Sequence, residues 1–148
     1  MKVKGCTALV TGGNRGIGKG FVEELLDAGA KRVFIAARKL ADAEELAQTA
    51  PDRLVAIELD VTNSEQIAKA AAQCTDLDLL VNNAGAFNNV TLMGADDMSA
   101  MRQEIETNYI GVVAICRAFA PILKANGGGA IVNVLSAGAI IAVPNMGG

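Results

Sequence analysis

The stretch Thr7-Ala8-Leu9-Val10-Thr11-Gly12-Gly13-Asn14-Arg15-Gly16-Ile17-Gly18 decides how the rest of the chain is read. A short apolar run ends in a glycine-rich turn, and the turn opens into a segment with helical periodicity. The glycines therefore fall where a buried strand becomes a helix. Gly12 and Gly16 allow a tight turn and close backbone approach, and Gly18 lets the first helical turn press against the strand. The first N–H groups of such a helix have no partners within it and lie at the positive end of its dipole. Gly12, Asn14, Arg15, Gly16, Ile17 and Gly18 thus form a candidate cradle for a pyrophosphate.

Composition narrows the reading. The 148 residues fit one domain, expected to span 1–148. Hydrophobic residues make up 51%, charged residues 20%, and the net charge is -3, a globular profile without the basic face that nucleic acid demands. Met1-Lys2-Val3-Lys4 leads into a strand rather than into a signal-peptide core, and no apolar run approaches bilayer length, so a cytoplasmic protein without membrane contact is expected. Cys6, Cys74 and Cys116 are scattered and form no CxxC pair, and histidine is absent; they read as small core residues, and no metal site is expected.

Apolar runs of strand length alternate with helical patterns. Residues 6–11, 32–37, 53–59, 78–82 and 129–135 read as strands, and their lack of polar alternation points to burial on both faces, as in a parallel sheet. Helices are predicted over 16–29, 39–49, 63–74 and 97–125. Thr62-Asn63-Ser64-Glu65 fits a capping box for the third helix, while Gly29 and Gly127-Gly128-Gly129 close the first and fourth. The expected fold is α/β, a Rossmann-like doubly wound parallel sheet of strand order 3-2-1-4-5.

Four further motifs stand at strand ends or in the long helix: Asp60-Val61 after the third strand, Asn82-Asn83-Ala84-Gly85 after the fourth, Asn108 in the fourth helix and Ser136 after the fifth strand. Together with the TGxxxGIG run they resemble the short-chain dehydrogenase/reductase family over almost the whole chain. The resemblance implies that Asp60 accepts a hydrogen bond from an adenine amino group, that Val61 packs beside the ring, and that Asn82, Ala84 and Gly85 belong to the segment that holds the central strand and lines the nicotinamide ribose. In an open parallel sheet these residues converge beyond the carboxyl ends of the strands.

Cofactor choice is legible at the end of the second strand. A fold preferring NAD usually has an acid there to bind the ribose hydroxyls, whereas an arginine accommodates a 2′-phosphate. This strand ends Ile35-Ala36-Ala37-Arg38-Lys39, and Arg15 lies inside the glycine turn. The guanidinium fork matches phosphate geometry, so NADP(H) is expected, with Arg38 on the phosphate and Lys39 a solvated cap.

The resemblance implies hydride transfer between the nicotinamide and a small-molecule alcohol or carbonyl, with Ser136 polarising the substrate oxygen and Asn108 ordering a relay water. An amide set among Ile105, Tyr109 and Val112 is costly to bury without partners, which also favours a role for Asn108. The family's general acid/base tyrosine, with a lysine four residues later, is due about a dozen residues past the serine, where this sequence stops. Tyr109 is the chain's one tyrosine and is followed four residues on by Val113, so it does not match. The chain is accordingly expected to be the N-terminal portion of such an oxidoreductase and inactive alone; a non-catalytic NADP-binding sensor or interaction module is the alternative. Residues 86–96 and 137–146 are expected to border the reacting carbon. The stripe Met98, Met101, Ile105, Tyr109, Val112, Cys116 and Phe119 is expected either to cover the sheet or to pair with a second copy in a homo-oligomer.

Overall fold

The computed structural model describes residues 1–88 and 97–139. Five parallel strands, β1 (Thr7–Thr11), β2 (Arg32–Ala37), β3 (Leu54–Glu58), β4 (Leu79–Asn82) and β5 (Ala130–Asn133), form one sheet in the order β3-β2-β1-β4-β5. The predicted order holds, and each predicted strand is found with its ends trimmed by at most two residues. The helices are α1 (Gly16–Asp27), α2 (Leu40–Ala47), α3 (Ser64–Gln73), α4 (Ser99–Ile105) and α5 (Val112–Ala125).

Side chains of successive strand residues go to opposite faces, and both faces are covered. Ala8, Val10, Val33, Ile35 and Val81 meet Val22, Leu25, Ala43 and Leu46 of α1 and α2 on one side. Leu9, Phe34, Ala36, Ile57 and Leu80 meet Ile67, Ala70, Ile115, Phe119 and Leu123 of α3 and α5 on the other. This two-sided burial is why the strands read as continuous apolar runs. Cys6 and Cys74 lie in these cores, and burial pushes the Cys74 thiol up to about 12, with the Asp76 carboxylate adding to the shift. β5, an edge of the described sheet, is less covered, leaving Ile131, Val132 and Leu135 exposed.

Local chemistry sets the helix ends. Gly29 and Gly127 take φ of +85° and +90° just past α1 and α5, as the left-handed closing position requires. Arg53 also closes α1: its Nη2 donates to the carbonyls of Leu26 and Ala30, both at 2.7 Å, and its Nε to Ala30 at 3.2 Å. The cap of α3 differs from the expected box. Asn63 is the N-cap and accepts from the N–H groups of Glu65 and Gln66, while Thr62 turns back to donate to Asp60. Asn63 wins because its carboxamide oxygen reaches two open helical N–H groups at once.

The predicted helix 97–125 is continuous from Ser99 to Ala125 but contains a π-helical turn, Glu106–Gly111, between α4 and α5. By length and composition this 27-residue helix is apolar enough to cross a bilayer, contrary to the expectation that no segment is. It instead seats Ile115, Phe119 and Leu123 in the core. The expected apolar stripe is also corrected. Met101 and Phe119 are buried, but Met98, Ile105 and Tyr109 are exposed. The inward face carries Glu104 and Gly111 among Met101, Ile115 and Phe119, so counting apolar residues selects the neighbouring stripe.

Candidate active site

Strand order reverses beside β1, which pairs with β2 on one side and β4 on the other, and the glycine turn leaves β1 at that crevice. Gly12 and Gly16 have φ of +64° and +53°, a region that side chains other than glycine rarely adopt. A Cβ on Gly12 would lie 3.2 Å from the Ala84 Cα, and one on Gly18 would run into the Gly12 carbonyl oxygen. The turn is therefore locked against the segment after β4 and, at Gly18, against its own helix. The N-cap of α1, Arg15, provides no side-chain hydrogen bond, and the first turn carries no acid. In contrast, α3 is capped by Asn63 and has Glu65 in its first turn. The positive end of α1 thus carries no capping side chain and no carboxylate in its first turn. Arg15, Gly16 and Ile17 are exposed, Asn14 is half-buried and Gly18 is buried.

Thr11 and Asn83, quoted within their sequence motifs but given no role of their own there, fix the two sides of the crevice together. The Thr11 hydroxyl accepts from the N–H groups of Asn83 and Ala84, each at 3.0 Å, and donates to the Val81 carbonyl at 3.3 Å. Asn83 Nδ2 donates back to the carbonyls of Thr11 and Gly12 at 3.0 and 3.2 Å. The available signal was a threonine at the last position of a buried strand, where a polar group needs partners. Asn82, buried, donates from Nδ2 to Asn133 Oδ1 at 2.8 Å and to Cys116 Sγ at 3.3 Å, tying β4 to β5 and α5. Ala84 is half-buried and Gly85 exposed beyond it.

At the end of β2, Ala37 is buried and Arg38 exposed, and neither position holds an acid. After β3, the Asp60 N–H donates to Gln66 Oε1 at 2.6 Å, and Oδ1 accepts from the N–H and hydroxyl of Thr62 at 2.9 and 2.7 Å. Oδ2 has no partner among the described residues. Val61 is buried, and a Cβ on Gly111 would come within 2.8 Å of its Cγ2, so glycine in the π-turn lets the long helix close on this strand end.

Asn108 lies in the π-turn, a distortion often found at functional sites. It is exposed, as are Ile105 and Tyr109, so the argument from a buried amide does not hold. Its partner is the backbone of Ala86: Oδ1 accepts the Ala86 N–H and Nδ2 donates to the Ala86 carbonyl, both at 2.8 Å. Ser136, exposed, accepts the Gly138 N–H at 3.1 Å in a local turn. Because Asn82 pairs with Asn133 in register, the segments that carry Gly85 and Ser136 leave the sheet at the same end. Of the segments expected to border the reacting carbon, 89–96 and 140–146 lie outside the described residues.

The profile of the short chain dehydrogenase family matches residues 6–148. This chain belongs to that family. A cis-1,2-dihydrobenzene-1,2-diol dehydrogenase of Pseudomonas putida is 34% identical over 146 residues, covering 93% of this chain and 53% of that protein. A short chain dehydrogenase from Burkholderia cenocepacia, solved in complex with NADP, is 46% identical, covers 99% of this chain and 60% of its own, and superposes with a TM-score of 0.90. A 3-ketoacyl-(acyl-carrier-protein) reductase from Brucella melitensis, complexed with NADH, is 29% identical over 98% of this chain and 63% of its own, also with a TM-score of 0.90. The chain spans between 34% and 55% of the length of the curated relatives it matches.

Proposed function

We propose that this chain is the NADP-binding portion of a short-chain dehydrogenase/reductase that interconverts an alcohol and a carbonyl. The observation that carries the reading is the uncapped, acid-free start of α1, locked to the segment after β4 by Gly12, Gly18 and Asn83, with Arg15 as its N-cap and an exposed Arg38 just past the end of β2. The N–H groups of Gly16, Ile17 and Gly18 would hold the pyrophosphate. Arg15 and Arg38 would bind the 2′-phosphate, and Ala37 stands where an acid would repel it. Asp60 would accept from the adenine amino group, Val61 would pack beside the ring, and Asn82, Ala84 and Gly85 would shape the nicotinamide end. The relative solved with NADP supports this choice, although another relative was solved with NADH.

NADP(H), when bound, supplies or accepts the hydride. Ser136 Oγ donates a hydrogen bond to the substrate oxygen but keeps its own proton near neutral pH. Asn108 fixes the Ala86 backbone through both ends of its amide and is the residue that would order a relay water. The alkoxide still needs a proton donor, worth about 10²–10⁴ in rate, and no histidine is present to supply it. Residues 1–148 alone are therefore expected to bind NADP(H) with little turnover, and a chain that includes Tyr-x-x-x-Lys after Gly148 to be active. The exposed Met98, Ile105 and Tyr109 support self-association through the long helix.

Calorimetry tests the cofactor reading: NADPH binds more tightly than NADH, and Arg38→Asp reverses or abolishes the preference. Equal affinities would remove its basis. NADPH oxidation with a panel of ketones and aldehydes tests the rest, and robust turnover by residues 1–148, lost in Ser136→Ala, would show that another acid does the tyrosine's work. A monodisperse monomer in sedimentation at micromolar concentration would refute self-association.

A further inference from the structure

Glu104 is a buried carboxylate, 8% exposed, on the inward face of α4, and no lysine or arginine pairs with it among the described residues. Such a group is costly unless it is given hydrogen bonds. Its Oε1 accepts the Asn88 N–H at 2.6 Å, and Asn88 Nδ2 donates to the Ala100 carbonyl at 3.0 Å. With the Asn108–Ala86 pair, helix positions 108, 104 and 100 hold residues 86 and 88 of the segment leaving β4. The spacing is matched: four helical residues rise about 6 Å, and two extended residues span about 6.6 Å. The segment is thus laddered antiparallel along the helix by two rungs.

Between the rungs stands Phe87, 58% exposed. The other three phenylalanines differ: Phe34 and Phe119 are buried and Phe21 is half-buried against the core. Phe87 sits two residues past Gly85, at the sheet end where Ser136 also emerges through the Asn82–Asn133 register. An aromatic ring on a segment already fixed loses little freedom on contact, which suits it to bind an apolar surface. We propose that Phe87 is the specificity-determining wall of the substrate site, and that Glu104 is the positioning residue that holds it there. The substrate class is a ketone or secondary alcohol with an apolar, ring-bearing body. This rests on the dehydrogenase reading above.

The test uses the whole encoded protein, comparing kcat/KM for an aryl ketone with that for a small dialkyl ketone. Phe87→Ala lowers the aryl-to-dialkyl ratio about tenfold, the scale of one lost aromatic contact, chiefly through KM. Glu104→Leu, which cannot accept the Asn88 N–H, lowers the same ratio and speeds amide exchange at Asn88; Glu104→Gln, which keeps an acceptor, restores both. An unchanged ratio in Phe87→Ala, in a protein that reduces ketones, overturns this proposal alone. Glu104→Leu with lowered Tm but an unchanged ratio overturns the role of Glu104. Absence of turnover with every ketone overturns the dehydrogenase reading and the substrate wall with it.

Discussion

Replacing Thr11 by valine removes one oxygen and almost no volume, so the effect isolates the hydroxyl that joins β1 to the segment after β4. Three groups lose their partner: the N–H of Asn83, the N–H of Ala84 and the carbonyl of Val81. An orphaned buried polar group costs about 1–3 kcal/mol. Relaxation and water entry offset part of the sum, which leaves an expected loss of roughly 2–4 kcal/mol. A domain stable by about 5–15 kcal/mol tolerates that. Thr11→Ser keeps the hydroxyl and loses one buried methyl, about 1 kcal/mol. Urea unfolding followed by circular dichroism should place the valine variant roughly 2 kcal/mol below the serine variant. Calorimetry should show NADPH affinity weakened in the valine variant and retained in serine, because Ala84 and Gly85 are what the hydroxyl positions. A valine variant as stable as the serine variant would refute the claim that this hydroxyl holds the crevice together.

Gly18→Ala places a methyl against the Gly12 carbonyl and 2.5 Å from Asn83 Nδ2, and should cost about 1–3 kcal/mol together with NADPH affinity. Gly20→Ala, which meets open space in the same helix, should be neutral or stabilising by up to about 1 kcal/mol, and equal behaviour of the two in thermal melts would contradict the packing argument. Arg53→Met removes the side-chain closure of α1 and should lower stability to urea by about 1–3 kcal/mol, most visibly as faster amide exchange near Ala30. The Cys74 thiol, raised from 9.0 to about 12 by burial, keeps its proton in the folded chain after the unfolded chain has lost it. Its contribution to stability is therefore complete below about pH 9 and lost as the pH rises toward 12, and Cys74→Ala should flatten the alkaline limb of a stability profile.

The fold was legible because burial on both faces of the sheet leaves a strong trace: apolar runs such as Val33 to Ala37 have no polar interruption, and the glycine turn marks where the first one ends. The cradle was legible for a related reason, since positive φ at Gly12 and Gly16 and the tight approach at Gly18 each demand glycine. The long helix was harder. Its inward face carries Glu104 and Gly111 and its π-turn the exposed Asn108, whose tasks are to hold residues 86 and 88 and to admit Val61, and hydrophobic periodicity is blind to all three. The pairing of Thr11 with Asn83, each already within a quoted motif, was missed because the two lie about seventy residues apart, a distance at which local pattern carries no information.

That separation also orders events during synthesis. When the first 77 residues have left the ribosome, β1, β2 and β3 with α1, α2 and α3 are complete, yet the Thr11 hydroxyl has none of its partners. One flank of β1 also still waits for β4. Contacts of such long range form late, because chain closure must come first. A nascent chain therefore carries the glycine turn long before it carries a crevice. Ligand capture should begin abruptly once residues 79–84 have docked, so that competence for the dinucleotide reports assembly of the sheet centre rather than of the motif that announces it.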